Sequence, residues 1–195
     1  MAKRAQKREL NPENTVREAA GRREVHRMWY AAQVRTGTEE LIKLQCERVL
    51  PDTVMKECCI PYYERMRRYE GEWHLEQKTL FPGYVFLVSD EPEALFRGLK
   101  KIIGLTKLIG TGREVVPLTE KEIAWIQRLG NDEGLVKMSR GVVEGDDIVI
   151  TDGPLEGLEG YIRRIDRHKR IACLEIEMMG RVVETRVGLE VVIKR

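Results

Sequence analysis

The amino-acid sequence predicts an α+β protein with two domains, and three observations lead to this prediction. Strand and helix signals alternate over residues 28–129, where apolar residues recur at both characteristic periods. Glycines and mixed charges interrupt this pattern over 130–141. Residues 142–195 then hold five short strand-like segments separated by glycine turns, which is typical of a small SH3-like β-barrel.

The first part of the N-terminal domain is predicted to form a strand, a helix and a second strand. MWYAAQV at 28–34 is short and apolar, and apolar residues then recur at helical spacing up to Pro51. Residues 58–63 can form the second strand. The following segment, 64–78, is dominated by charge, so we expect a solvated hairpin there.

The second part of this domain repeats the same signals. Residues 80–89, LFPGYVFLVS, form a third strand, Asp90-Glu91-Pro92 begins a helix, and 104–110 is a fourth short strand bounded by glycines. Thr119 and Glu122 make a capping box at the start of the last helix. The order β-α-β-β-α-β-α indicates a split βαβ arrangement, an antiparallel sheet with helices on one face.

The third strand is apolar on both of its faces. Side chains alternate across a strand, so Val85 and Leu87 point to one side while Tyr84, Phe86 and Val88 point to the other. We expect the first pair to form the core beneath the helices. The aromatic pair is expected to meet a partner.

Composition argues against several classes of function. No apolar run approaches the roughly 18–20 residues of a membrane span. Residues 1–27 hold eight Lys/Arg and four Glu, which predicts a flexible basic tail rather than a secretory signal. The three histidines and four cysteines show no catalytic or metal-ligand spacing. We therefore expect a cytoplasmic, monomeric protein with reduced cysteines, without enzymatic activity, metal or cofactor.

The charges of the second domain are unevenly distributed. Residues 144–159 carry six acids and no base, whereas 163–170 carry five Lys/Arg, one His and one acid. If the turn at 166–170 gathers these bases, they form a local phosphate-binding patch; a solvated turn without a ligand is the alternative. The predicted RNA-binding residues are Arg163, Arg164, Arg167, His168, Lys169, Arg170 and Arg181.

The most specific motif of the sequence lies at 144–166. A strand is followed by Asp152-Gly153-Pro154, an acid-rich loop with Gly157, and Gly160, which opens the next strand. Glycine allows close backbone approach at barrel corners. The segment resembles a KOW motif, the strand-loop-strand unit of certain ribosomal and transcription proteins, with a generic SH3-like barrel as the alternative.

With this motif in the second domain, the first domain resembles the NGN domain of the NusG family of transcription elongation factors. The resemblance rests on Trp29-Tyr30, on Phe81-Pro82-Gly83-Tyr84-Val85-Phe86 and on the capped last helix. It covers about residues 28–195 in the family's order: NGN domain at 28–129, linker at 130–141, KOW domain at 142–195.

This resemblance implies that the protein acts by binding other macromolecules. NusG-like proteins bind the clamp helices of the largest RNA polymerase subunit through the NGN domain, suppress pausing, and recruit a second partner through the KOW domain. Aromatic residues suit such an interface because each contributes a large contact area at low rotamer cost. The implied polymerase-binding residues are Trp29, Tyr30, Gln33, Phe81, Tyr84, Phe86, Ile102 and Ile103, with Leu95, Phe96 and Arg97 on the opposite side of the cleft. Core roles for Trp29 and Phe81 are the alternative.

The turn Met178-Met179-Gly180-Arg181 departs from the family pattern, which places an aromatic residue before Gly-Arg where relatives meet ribosomal protein S10 or Rho. Together with the basic turn, this departure resembles a specialised LoaP-type paralogue, which implies antitermination at selected operons and recognition of an RNA hairpin by the KOW domain.

Two other readings of the same pattern remain open. A βαββαβ order also describes an RNA-recognition module whose sheet aromatics stack bases, and a ribosome-associated KOW protein is the other possibility. Pro82 precedes Gly83, and no basic residue lies between Lys78 and Ser89. These features favour a protein partner on the aromatic face.

Overall fold

The computed structural model describes residues 28–193 apart from 109, 112–113, 131–133 and 145–146. The predicted tail at 1–27 lies outside the described residues. No helix in the described part of the chain is both long and apolar enough to cross a bilayer. The four cysteines are free thiols.

The N-terminal domain is built on a four-stranded antiparallel sheet with the order β2-β5-β1-β6. The α+β fold class is thereby confirmed. The elements in chain order are β1 (Met28–Val34), α1 (Glu39–Val49), β2 (Glu57–Cys59), β3 (Tyr62–Tyr69), β4 (Glu72–Thr79), β5 (Tyr84–Ser89), α2 (Pro92–Leu99), β6 (Leu105–Leu108), β7 (Gly110–Thr111), β8 (Glu114–Val115) and α3 (Glu120–Leu129).

Helices α1 and α2 cover one face of this sheet. Val85 and Leu87 of β5 are fully buried in a cluster with Ile42 and Cys46 of α1 and Leu95 of α2. The prediction for this side of the strand is therefore confirmed. The prediction that all the helices share one face is wrong, because the apolar stripe of α3 packs with the opposite, aromatic side of the sheet.

The charged segment forms the predicted hairpin, β3–β4. Glu70 and Gly71 connect the strands with φ of 52° and 83°, as the tight two-residue turn of a hairpin requires. The single strand predicted at 58–63 is instead two strands that belong to different sheets, and Pro61, which has no N–H to donate, lies between them.

The C-terminal domain is a five-stranded sheet with the order β11-β10-β14-β13-β12. Its long last strand pairs antiparallel with β13 in its first part and parallel with β10 in its second. The elements are β10 (Ser139–Glu144), β11 (Asp147–Asp152), a 3₁₀ turn (Glu159–Tyr161), β12 (Ile162–Asp166), β13 (Ile171–Met178) and β14 (Arg181–Ile193).

Two strand boundaries differ from the prediction. The segment 130–141, expected to be a linker, holds the short strand β9 (Leu135–Val136), which pairs parallel with β3, and the first residues of β10. The strands predicted separately at 181–187 and at the C-terminus are one strand that runs through Gly188. Position 188 has no room for a side chain, because a Cβ there would overlap Met138 Sδ and the carbonyl oxygen of Glu64.

Candidate functional site

The aromatic face of the sheet is assembled from β1, β5 and the turn before β5. Ala31 lies opposite Phe86 and Gln33 opposite Tyr84 in the register of the two strands. The Phe81 ring packs edge-on against Phe86, with 5.6 Å between centroids. Trp29 is partly buried against the same cluster, and Phe81 is buried within it.

A buried carboxylate fixes the turn that presents these rings. Glu39, at the start of α1, is 5% exposed. One of its oxygens accepts the backbone N–H of Gly83 at 2.7 Å and the other accepts that of Gly37 at 2.7 Å. Gly83 has φ of 84°, a conformation that favours glycine, and its carbonyl oxygen accepts the N–H of Val34. The aromatic turn is thereby tied to both β1 and α1.

The C-terminal domain covers this aromatic face. Tyr84 and Phe86 share one apolar cluster with residues of β13 and β14, and Tyr84 is only 8% exposed. The C-terminal residues of that cluster are Ile150, Leu155, Leu158, Ala172, Leu174, Ile176, Met178, Val187 and Leu189. Tyr84 and Phe86 do point away from Val85 and Leu87, but in this structure they face the chain's own second domain.

Polar contacts accompany the apolar docking. Thr185 Oγ1 donates to the carbonyl oxygen of Leu80 at 2.6 Å. The Arg181 guanidinium lies 5.3 Å from the centre of the Tyr84 ring, a cation–π arrangement. Trp125 of α3 packs edge-on against Tyr161, with 4.9 Å between centroids.

Three predicted polymerase-binding residues, Tyr30, Leu95 and Ile102, are buried in the core on the helix side of the sheet. Strand alternation explains Tyr30, because its neighbours Trp29 and Ala31 are the β1 residues that join the aromatic side. Burial raises the pKa of the Tyr30 hydroxyl, and the nearby Asp90 charge adds to the effect. The prediction that these three side chains present a contact surface is corrected.

The remaining residues of that predicted set keep exposed surface. Ile103 is 83% exposed, while its backbone exchanges two hydrogen bonds of 3.2 Å with the Gln45 side chain. Gln33 and Arg97 are exposed and Phe96 is half-buried. These residues remain accessible while the aromatic face is covered.

The predicted basic residues lie on β12 and in the turn that follows it. Arg163 pairs with Glu175 at 3.0 Å, and Arg164 Nη2 donates to Cys173 Sγ at 3.7 Å. In the turn, the backbone N–H of Lys169 donates to the Asp166 carboxylate, which lowers the pKa of that group. Arg167, His168 and Lys169 are exposed. The turn therefore gathers a set of accessible bases.

Two residues of the predicted RNA-binding set have other contacts. Arg170 is held by Glu190 at 2.9 Å and lies 4.1 Å from the centre of the Trp73 ring on hairpin β3–β4. Arg181 follows β13, whereas the basic turn precedes it, so the length of this eight-residue strand separates them. Arg181 therefore lies apart from the basic turn, and its role in RNA binding stays a prediction.

The predicted partner turn, Met178-Met179-Gly180, contacts α3. Met178 is buried, and Met179 and Gly180 have φ of 57° and 70°. The backbone N–H of Met179 donates to the Glu122 carboxylate. Glu122 carries a capping-box signal in the sequence, but no sequence pattern indicates that its second oxygen reaches the other domain.

The comparisons with known proteins agree with each other. A family model described as "Transcription termination factor nusG" matches residues 27–127. The transcription termination/antitermination protein NusG of Bacillus subtilis is 27% identical over 170 residues, which is 83% of this chain and 94% of that protein. The protein of the same name from Campylobacter jejuni is 26% identical over 157 residues, or 78% of this chain and 89% of that protein.

A similar relative and a similar solved structure extend over both domains. NusG of Thermus thermophilus is 26% identical over 180 residues, which is 85% of this chain and 97% of that protein. A structure described as "Domain interaction in Thermotoga maritima NusG" has a TM-score of 0.52 and 21% identity, and it covers 84% of this chain and 93% of that one. This last likeness concerns the fold.

Proposed function

This chain belongs to the NusG family, and from that premise we propose that it binds RNA polymerase through the aromatic face of its N-terminal domain. The matched relatives are named transcription termination/antitermination proteins, so a role as a transcription factor follows from the family. Our proposal adds the partner, the surface and the effect: contact with the clamp helices of the largest subunit, and suppression of pausing and termination.

One observation carries this proposal, namely that strand β5 is apolar on both faces and the N-terminal domain's helices α1 and α2 cover only one of them. The other face presents Phe81, Tyr84 and Phe86, which are suited to anchoring a helical partner in an apolar depression. The C-terminal domain occupies that face in this structure. Polymerase binding there therefore requires the C-terminal domain to move away.

For the C-terminal domain we propose RNA binding through the turn at 166–170, with a leader hairpin as the ligand. The exposed bases of that turn support this proposal. The turn Met178–Gly180 contacts α3, so a protein partner such as S10 or Rho could bind this turn only after the turn has separated from α3. The pairing of a basic turn with a changed partner turn supports the specialised, LoaP-type reading.

A general RNA-binding or ribosome-associated role is the second candidate function. The bases beside hairpin β3–β4 favour it, because they are accessible without any movement of the domains. It requires no contact with polymerase, and this difference separates the two functions.

Co-elution with core RNA polymerase tests the leading proposal. We expect the wild-type chain to co-elute and Tyr84→Ala with Phe86→Ala to abolish the complex, because both anchors are lost. Leu41→Ala with Leu44→Ala is the matched control, since it removes two exposed apolar side chains of α1, on the other side of the sheet from the aromatic face. Both variants are checked for folding by thermal melting, and Tyr84→Ala alone serves if the double variant does not fold.

Loss of binding in both pairs, or in neither, would contradict the assignment of this face. A wild-type chain that binds structured RNA but not polymerase would favour the second function.

A further inference from the structure

A cleft of about 310 Å³ lies where hairpin β3–β4 of the N-terminal domain meets the basic turn of the C-terminal domain. The hairpin side contributes arginines and an aromatic ring, and the turn contributes His168 and Lys169. The charged and aromatic residues that line it are Arg65, Arg67, Arg68, Trp73, His168 and Lys169.

The charge of this cleft has one sign. No carboxylate is among the described residues that line it. Glu76, which is not a lining residue, accepts from Arg65 at 3.0 Å and from Arg67 at 3.3 Å, and these bonds lower the pKa of Glu76. The Arg67 side chain remains 58% exposed. Such a surface attracts a polyanion.

The two sides of the cleft are held together by a stacked contact. The Arg170 guanidinium lies over the Trp73 ring at 4.1 Å and is anchored by Glu190 at 2.9 Å. In the hairpin register Arg68 is directly opposite Trp73, so both side chains leave the same face of the hairpin. The cleft exists only while the two domains are docked.

The opposite face of the hairpin carries a further aromatic ring, outside the lining of the cleft. Tyr69 is half exposed and its ring stacks on His74 with 3.7 Å between centroids. Unpaired RNA bases stack on aromatic rings and on guanidinium planes, and phosphates bind the adjacent bases of the protein. The hairpin tip carries Glu70 and Glu72, whose charge disfavours insertion of this β-ribbon into a DNA groove.

We infer that this interdomain cleft binds structured RNA, holding its phosphates between the hairpin arginines and the basic turn and its unpaired bases near the Trp73 ring. The inference rests on the RNA binding proposed for the C-terminal domain and adds a second half to that site, on the N-terminal domain. RNA bound there stabilises the docked arrangement, because only that arrangement forms the cleft, and it therefore competes with polymerase for the free protein.

The test uses the full chain and a fluorescent pool of RNA stem-loops with randomised loops. We expect Arg67→Gln with Arg68→Gln to weaken binding roughly a hundredfold, since each lost hydrogen bond to a charged group contributes about a factor of ten. The salt dependence should fall by about one power of salt concentration per lost phosphate contact. Photocrosslinking with thiouridine-substituted RNA should label peptides from both the hairpin and the turn.

Arg48→Gln with Lys101→Gln is the matched control, because it removes the same charge from exposed positions outside the cleft. Arg167→Glu with Lys169→Glu tests the turn alone, because both side chains are exposed there. Loss of binding in the turn variant with wild-type affinity in the hairpin variant would overturn this inference and leave the proposed RNA binding intact. A wild-type chain that binds no RNA, or binds DNA stem-loops equally well, would overturn the inference, and the former result would also overturn the proposed RNA binding.

Discussion

At the scale of single residues, Glu39 has the largest consequence for the candidate interface. Its carboxylate accepts two backbone N–H groups, of Gly37 and Gly83, from loops that are distant in sequence. The Glu39 side chain and its bond to Gly83 are buried, so water cannot replace that bond. Glu39 therefore sets the position of the turn that carries Phe81 and leads into Tyr84.

We predict that Glu39→Ala lowers the free energy of unfolding by about 2–3 kcal/mol, because the buried N–H of Gly83 and the part-buried N–H of Gly37 lose a charged acceptor. Glu47→Ala, at an exposed position of the same helix, should change it by less than about 0.5 kcal/mol. Urea denaturation followed by circular dichroism measures both. Equal effects at the two positions would show that the carboxylate does not hold the turn.

At the scale of elements, the N-terminus of α3 links the two domains. Thr119 and Glu122 cap the helix reciprocally, with one Glu122 oxygen accepting the Thr119 N–H at 2.7 Å. The other Glu122 oxygen accepts the N–H of Met179 in the turn between β13 and β14. The Glu122 side chain thus caps the first turn of α3 and also binds a turn of the other domain.

This double role predicts unequal costs for the two members of the capping box. Thr119→Ala should cost about 1 kcal/mol, the usual cost of a lost cap. Glu122→Ala should cost about 1 kcal/mol more, because the bond to Met179 is lost as well. Denaturant unfolding gives the costs, and faster amide hydrogen exchange at Met179 in Glu122→Ala alone identifies the interdomain bond. Exchange at Met179 that is unchanged in Glu122→Ala would contradict this role.

At the scale of the whole molecule, the two domains bury the aromatic face between them. The apolar cluster is continuous from Phe86 of the sheet to Leu174 and Leu189 of the C-terminal domain. Any partner that uses the aromatic face competes with this docking. Its apparent affinity is reduced by the fraction of molecules that are docked.

We predict that Thr185→Asp favours the undocked arrangement, because it places a carboxylate against the Leu80 carbonyl oxygen at a buried position. The radius of gyration from small-angle X-ray scattering should increase and the affinity for RNA polymerase should rise. Thr151→Asp, at an exposed threonine of the same domain, should leave both unchanged. A Thr185→Asp chain with wild-type dimensions and affinity would contradict the competition.

The fold was largely predictable from the sequence because its signals are local. Alternation along β5, the capping box at Thr119 and the glycine turns of the C-terminal domain each depend on residues close in the chain. The errors occurred where a distant segment intervened. Leu135–Val136 form a strand because the edge of β3 is available for pairing. Gly188 is part of β14 rather than a turn, because the backbone of Glu64 in β3 lies too close to leave room for a side chain.

The candidate site was predictable in part. The prediction succeeded where the sequence indicated to which face of an element a side chain points. Tyr84 and Phe86 could be placed by alternation, whereas motif position alone put Tyr30, Leu95 and Ile102 in a contact surface that their burial rules out. The basic turn was visible in the sequence. Its position beside Trp73 and the hairpin arginines was not, because it depends on how two domains dock.

The sequence by itself determined that this chain has two domains, that β5 needs a partner on each face, and that the bases of the second domain concentrate in one turn. Only the tertiary structure decided that the partner on the aromatic face is the chain's own C-terminal domain. Local patterns specify which surfaces are apolar or charged, but which surfaces meet is decided by the balance of burial and hydrogen bonding between segments far apart in the chain.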